Sequence, residues 1–228
     1  MNVTDAINRY ANERPDDLAL LTLTNRFDWF SLNHQVNAAV NFLHLGGVRA
    51  GQRVAISVKD QVLHLFVSLG LARMGATQIA LPPIDPVSTR KALASQLIIL
   101  SVVIENPQDG LEGFHAIEVS ADALNNSQKA VCQSYQTKRD DVFLLLQSSG
   151  TTGNPKFSEL THGMAFERFD RYNTYFKTSF SDVFWPASRL DFVVAKQRVY
   201  HSFQAGAAVC IVSGRAIDRN SFNFIDEA

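Results

Sequence analysis

Short unbroken apolar runs alternate along this chain with stretches in which apolar residues return every third or fourth position. The first pattern suits buried strands and the second suits helices with one buried face. A first helix is predicted over Asp5 to Asn12, capped by Thr4 and closed by Arg14-Pro15. The runs from Leu18 to Leu23 and Phe27 to Phe30 flank Thr24-Asn25-Arg26 and read as a hairpin. Ser31 caps a second helix, with Leu32, Val36, Ala39, Val40 and Leu43 on one face, ending at Gly46-Gly47. Gln52 to Val58 reads as a buried strand. Asp60 then opens a helix carrying Leu63, Phe66, Val67, Leu69 and Met74 up to Gly75, and Ala76 to Leu81 is a strand stopped by Pro82-Pro83. Strand, helix and strand in that order form a βαβ unit, which requires parallel strands covered by helices. Pro86 or Ser88 starts a further helix to about Gln96, and Leu97 to Ile104 is the next strand. The chain then turns polar from Asn106 to Arg139, with a short strand at Ala116 to Val119 and a loop at Asn125 to Lys129. Val142 to Gln147 is again apolar. Thr161 caps a long helix to about Tyr175, Asp182 to Trp185 is a strand, Phe192 to Phe203 a helix, and Ala207 to Val212 a last strand. The pattern predicts an α/β fold of mostly parallel sheets flanked by helices.

The chemistry concentrates where the strand at Val142 ends. Ser148-Ser149-Gly150-Thr151-Thr152-Gly153-Asn154-Pro155-Lys156 follows it directly. Gly150 and Gly153 let the backbone approach an anion without a Cβ in the way. Successive N–H groups in such a loop form a concave nest for phosphate oxygens, the hydroxyls add donors, and Lys156 supplies a point charge. The spacing is not that of a Walker A loop, because Pro155 stands at the second glycine and Phe157 at the magnesium-binding hydroxyl.

The stretch from Ser148 to Lys156 resembles the Thr/Ser-Ser-Gly-Thr-Thr-Gly-x-Pro-Lys signature of the adenylate-forming enzymes: acyl-CoA synthetases, firefly luciferases and peptide-synthetase adenylation domains. Weaker similarity extends over most of the chain. Gly47 to Ile56 and Arg73 to Thr77 stand where that family has a Gly-x-x-x-Gly-Asp-x-Val-Ala-Ile turn and strand and a helix ending near Gly-Ala. Thr161-His162 and Gly206 to Val212 resemble its Thr-His helix start and its Gly-Ala-x-Val-Val-Leu strand. The resemblance implies that Ser148, Ser149, Gly150, Thr151, Thr152, Gly153 and Lys156 hold the phosphates of ATP. It also implies Mg2+ as companion ion, a small-molecule carboxylate as substrate, and coenzyme A or a carrier protein as acceptor.

The family's later parts, a Tyr-Gly-x-Thr-Glu segment, a Gly-Asp pair on the ribose and a lysine on a C-terminal lid domain, have no counterpart in these residues. Residues 1–228 therefore read as a partial N-terminal AMP-binding domain without the lid, a fragment inactive alone, with no catalytic residue and no metal ligand assigned. The alternative is a non-catalytic adaptor that keeps the fold and binds ATP weakly at most. Truncation is expected to leave an unpaired edge or apolar surface near residues 183–212, at the strand Val209 to Val212, and to favour self-association.

Several single residues have plainer readings. Phe157 is a tolerated variant packed on the sheet. Asp191 is a solvated helix cap, His201 a helix-surface residue, and His162 structural. Trp29, Trp185 and the sixteen phenylalanines belong to the core. Cys132 and Cys210 lack metal-ligand spacing and read as free thiols of a cytoplasmic protein. A net charge of −1 gives no footprint for nucleic acid or an anionic membrane, and the longest apolar run, Leu97 to Ile104, is too short to span one.

Overall fold

The computed structural model describes residues 1–127, 135–148 and 156–212. Two sheets organise the chain. Strands β1 (Leu18–Thr22) and β2 (Arg26–Asp28) form the expected hairpin. They extend into a four-stranded sheet of order β2-β1-β10-β9, where β9 is Val183–Phe184 and β10 is Ala208–Ile211. The second sheet has six strands in the order β6-β5-β3-β4-β7-β8. Its members are β3 (Arg53–Ser57), β4 (Thr77–Ala80), β5 (Ser101–Ile104), β6 (His115–Glu118), β7 (Val142–Ser148) and β8 (Lys156–Thr161). All pairings are parallel except β1 with β2 and β7 with β8. Helices α1 (Asp5–Glu13), α2 (Trp29–Leu45), α3 (Gln61–Arg73), α4 (Val87–Gln96), α5 (Ala121–Ser127), α6 (His162–Phe176) and α7 (Val193–Ala205) complete the α/β architecture.

Residues 53–104 show why the sequence folds this way. Asp60 caps α3 by accepting from the N–H groups of Val62 and Leu63, at 2.8 and 2.9 Å. The helix is buried on nearly every side, because it packs on α2 as well as against the sheet. Gly70 makes that packing possible: a Cβ there would lie 2.9 Å from the Cβ of Ala39 on α2. One apolar cluster fills the α2–α3 side and reaches Tyr200 and Phe203 of α7. A second, around Ile79, Leu93, Val102 and Leu145, lies under α4.

Several elements differ from the sequence pattern. Asp28, not Ser31, caps α2, accepting from Ser31 N at 2.7 Å, so Trp29 and Phe30 belong to the helix. Residues Leu97 to Leu100 are not strand. The end of α4 winds through Ile98 at φ 53°, an unfavourable left-handed conformation for a β-branched residue, and β5 starts only at Ser101. Asn125 and Asn126 lie in helix α5, not in a loop. Ser120 Oγ accepts from Ala123 N at 3.1 Å, Leu124 is buried, and Asn41 Nδ2 of α2 donates to Ser127 O at 3.2 Å.

The chain enters α6 from strand β8, which the pattern did not predict. Its side chains alternate poorly, and only Leu160 is buried. The expected edge strand near Val209 is also displaced: β10 lies inside its sheet between β1 and β9, and β9 forms the edge. Phe192 and Val194 within residues 183–212, and Phe176 and Phe180 before them, are each more than half exposed. Among the described residues no helix is long and apolar enough to cross a membrane.

Candidate active site

Strand β7 lies beside parallel β4, with Gln78 opposite Leu144, and turns back antiparallel into β8. Its register places Gln147 opposite Phe157 and Ser148 opposite Lys156. The glycine- and hydroxyl-rich stretch is thus the connection of a hairpin, held at both ends by paired strands. Ser149, Gly150, Thr151, Thr152 and Gly153 lie outside the described residues. Lys156 opens β8 as an exposed side chain, and Phe157 packs half-buried against the second apolar cluster, as the sequence suggested.

A groove of about 670 Å³ opens at the carboxyl ends of β4 and β7, beside the start of this connection. Ligands of open α/β sheets bind at that end of the strands. One wall comes from Ile79, Pro82 and Ile84 at the end of β4, another from Leu144, Leu145 and Gln147 of β7, and the third from residues 189–194 leading into α7. That third segment is tethered at depth: Leu190 N donates to Gln61 Oε1 at 2.6 Å, at the start of α3.

Asp191 and Lys196 also line the groove. Asp191 is not a solvated cap. Its side chain is 5% exposed, its Oδ2 accepts from Arg189 Nε at 2.6 Å, and its Oδ1 lies 3.4 Å from Nδ1 of buried His64 without a hydrogen bond. Lys196 is 3% exposed and donates from Nζ to Gln78 Oε1 at 3.1 Å. Gln78 also bonds Ser68 and the hydroxyl of Tyr200, so a fully buried polar chain runs beneath the groove. Burial brings the Lys196 ammonium down to about 7, against the opposing pull of the Asp191 charge, and pushes the Tyr200 phenol up to about 12. Burial first, and then the Lys196 charge, holds His64 well below the usual imidazole range. The sequence pattern gave no signal for this network, because Lys196 and His64 stand at helical spacing and Gln78 is a single polar position of strand β4.

A competing anion site is already filled. The backbone N–H groups of Lys59 and Asp60, just before the N-terminus of α3, both donate to Glu105 Oε2, at 3.0 and 2.9 Å. That crevice lies between the ends of β3 and β5, where the strand order reverses, and the Glu105 carboxylate occupies it. No group of three or more His, Cys, Asp or Glu side chains among the described residues could hold a metal ion.

The model of the AMP-binding enzyme family matches residues 7–227. The chain belongs to the AMP-binding enzyme family. It is 26% identical over 221 residues to malformin synthetase mlfA of Aspergillus brasiliensis, covering 91% of this chain and 4% of that protein. It is 23% identical over 168 residues to the crotonobetaine/carnitine–CoA ligase of Shigella flexneri, covering 61% of this chain and 32% of the ligase. The N-terminal subdomain of Klebsiella oxytoca NpsA, solved in complex with 3-hydroxybenzoyl-AMSN, superposes with a TM-score of 0.84 at 19% identity, over 97% of this chain and 56% of that one. The chain therefore spans little more than half of a solved subdomain, and a small part of a peptide synthetase.

Two histidines on the helices around the site need placing. His162, directly after the Thr161 cap of α6, is structural: its ring stacks on Phe143 at 4.9 Å, and its Nδ1 accepts from Val3 N at 3.2 Å. His201 is not on the surface. It is fully buried between α6 and α7 and hydrogen-bonds Asn173 Oδ1 at 2.8 Å.

Proposed function

We propose that this chain supplies the phosphate-holding part of an ATP-dependent ligase that activates a carboxylic acid as its acyl-adenylate. One observation carries the reading: β7 and β8 pair on either side of the signature stretch, with Lys156 opposite Ser148, and Gln147, just before it, lines an apolar groove. A hairpin connection of this composition offers N–H groups and hydroxyls to the polyphosphate, and Lys156 offsets its charge. The groove beside it suits the organic part of the acid, because its walls are largely apolar side chains. Mg2+ arrives with ATP in this reading, and the acceptor that takes the acyl group is a thiol such as coenzyme A or a carrier-protein arm. The 3-hydroxybenzoyl group held by NpsA and the acid named for the Shigella ligase support a carboxylate substrate.

Equilibrium dialysis with labelled ATP tests the reading. We expect weak saturable binding that pyrophosphate competes away and that Lys156→Ala removes. ATP binding indifferent to pyrophosphate and to Lys156→Ala would contradict it. Pyrophosphate–ATP exchange by residues 1–228 alone is expected to stay at background, since the ribose and lid groups of the family have no counterpart in them.

A further inference from the structure

The floor of the groove holds more charge than an apolar pocket needs. Arg189 and Asp191 pair with each other at 2.6 Å, which leaves Lys196 as the groove cation without an ion-pair partner within salt-bridge distance among the described residues. An ammonium has three N–H donors, and Lys196 uses one, on Gln78 Oε1. That acceptor does not depend on lysine, because Gln78 Oε1 also accepts from Ser68 Oγ. Burying an ammonium with a single neutral partner is costly. The apolar network around Tyr200 and Phe143 does not require it. A straight apolar side chain would fill the same space.

We propose that Lys196 is a specificity-determining residue of the groove, selecting acids that carry a second, distal anionic group. The proposal rests on the reading that the groove holds the organic part of the substrate. The remote carboxylate of a dicarboxylic acid would take up the unused Lys196 donors, and the chain between the two carboxylates would lie against Ile79, Pro82, Leu145, Leu190 and Phe192. The titratable groups around Lys196 are His64 of α3, Asp191 before α7, whose other partner is Arg189, and Tyr200, joined to it through Gln78 of β4. Burial keeps His64 and Tyr200 neutral near neutral pH, so neither competes for the anion.

Three acids of equal length separate the outcomes: hexanoate, adipate and 6-aminohexanoate, titrated into the 228-residue chain at pH 6.5 and followed by amide shifts at Ala80, Gln147 and Phe192. Adipate should bind about tenfold or more tightly than hexanoate, the value of one charge-assisted hydrogen bond. Lys196→Met should abolish that preference while hexanoate still binds, which also reports that the variant is folded, and Lys196→Arg should keep part of it. Equal binding of adipate and hexanoate to the unaltered chain would overturn the proposal and leave the groove reading intact. Tighter binding of 6-aminohexanoate would also overturn it, by making Asp191 the selecting group. If none of the acids shifts the groove amides, the groove reading itself fails.

Discussion

His162 gives the protein a measurable weakness toward acid. Its ring is fully buried against Phe143, and Nδ1 accepts the Val3 N–H while Nε2 has no partner. Burial lowers its pKa to about 4 from the ordinary 6.5, with nearby Asp141 pulling the other way. Between those two values the unfolded chain binds a proton that the folded chain refuses. Stability is therefore complete above about pH 6.5 and is lost as pH falls toward 4, by up to about 1.4 kcal/mol per pH unit and roughly 3 kcal/mol over the window. Such a loss is a large share of an ordinary domain's stability. Asn at this position can still accept from Val3 N but cannot titrate, so His162→Asn isolates the effect. The variant should be less stable at pH 7 by about 1–2 kcal/mol, for the lost ring packing. Urea unfolding followed by tryptophan fluorescence at half-unit steps from pH 7 to 4.5 gives both slopes. Buried His64 and His201, also held low, contribute the same sign in both proteins. The His162→Asn slope should be shallower by nearly one proton's worth. Identical slopes would refute the argument and mean that the ring is protonated in the folded state, or is not buried.

Gly70→Ala should destabilise the chain by about 1–3 kcal/mol in urea unfolding, because the new methyl overlaps Ala39 where α2 and α3 cross. Lys196→Met should be more stable than the natural chain at pH 6. Lys196 has a folded pKa near 7 and an unfolded one near 10.5, so the natural chain gains stability over that range and the difference should shrink by pH 10. Glu105→Ala should cost about 1–2 kcal/mol, for the two N–H groups it leaves without an acceptor, and should leave ATP binding unchanged.

The parallel core was legible because β3, α3 and β4 carry strong patterns and Asp60 is a clear cap. Strand β8 was not, because Lys156, Ser158, Glu159 and Thr161 look like solvent-facing loop, and only pairing with β7 makes them strand. Helix α5 was hidden in a polar run, since Leu124 is its one buried apolar residue. The stretch proposed to hold phosphate stood out by its order, which departs from a Walker A loop at Pro155 and Phe157. Asp191, Lys196, His64 and His201 were illegible for one reason. Each is a polar residue at helical or loop spacing, and its burial depends on α7 being enclosed by α1, α6 and the two sheets. Local pattern carries no information about that enclosure.

The central claim is that the β7–β8 connection holds the phosphates of ATP. Titration of ATP with Mg2+ into the isotopically labelled chain, read amide by amide, tests it most directly. A few charge-assisted hydrogen bonds set against the lost freedom of the ligand predict affinity on the order of millimolar. Shifts should be largest at Gln147, Ser148, Lys156 and Phe157, should saturate together, and should vanish in Lys156→Ala while the rest of the spectrum stays unchanged. Shifts centred instead on Lys59, Asp60 and Glu105, or unaltered by Lys156→Ala, would contradict the account.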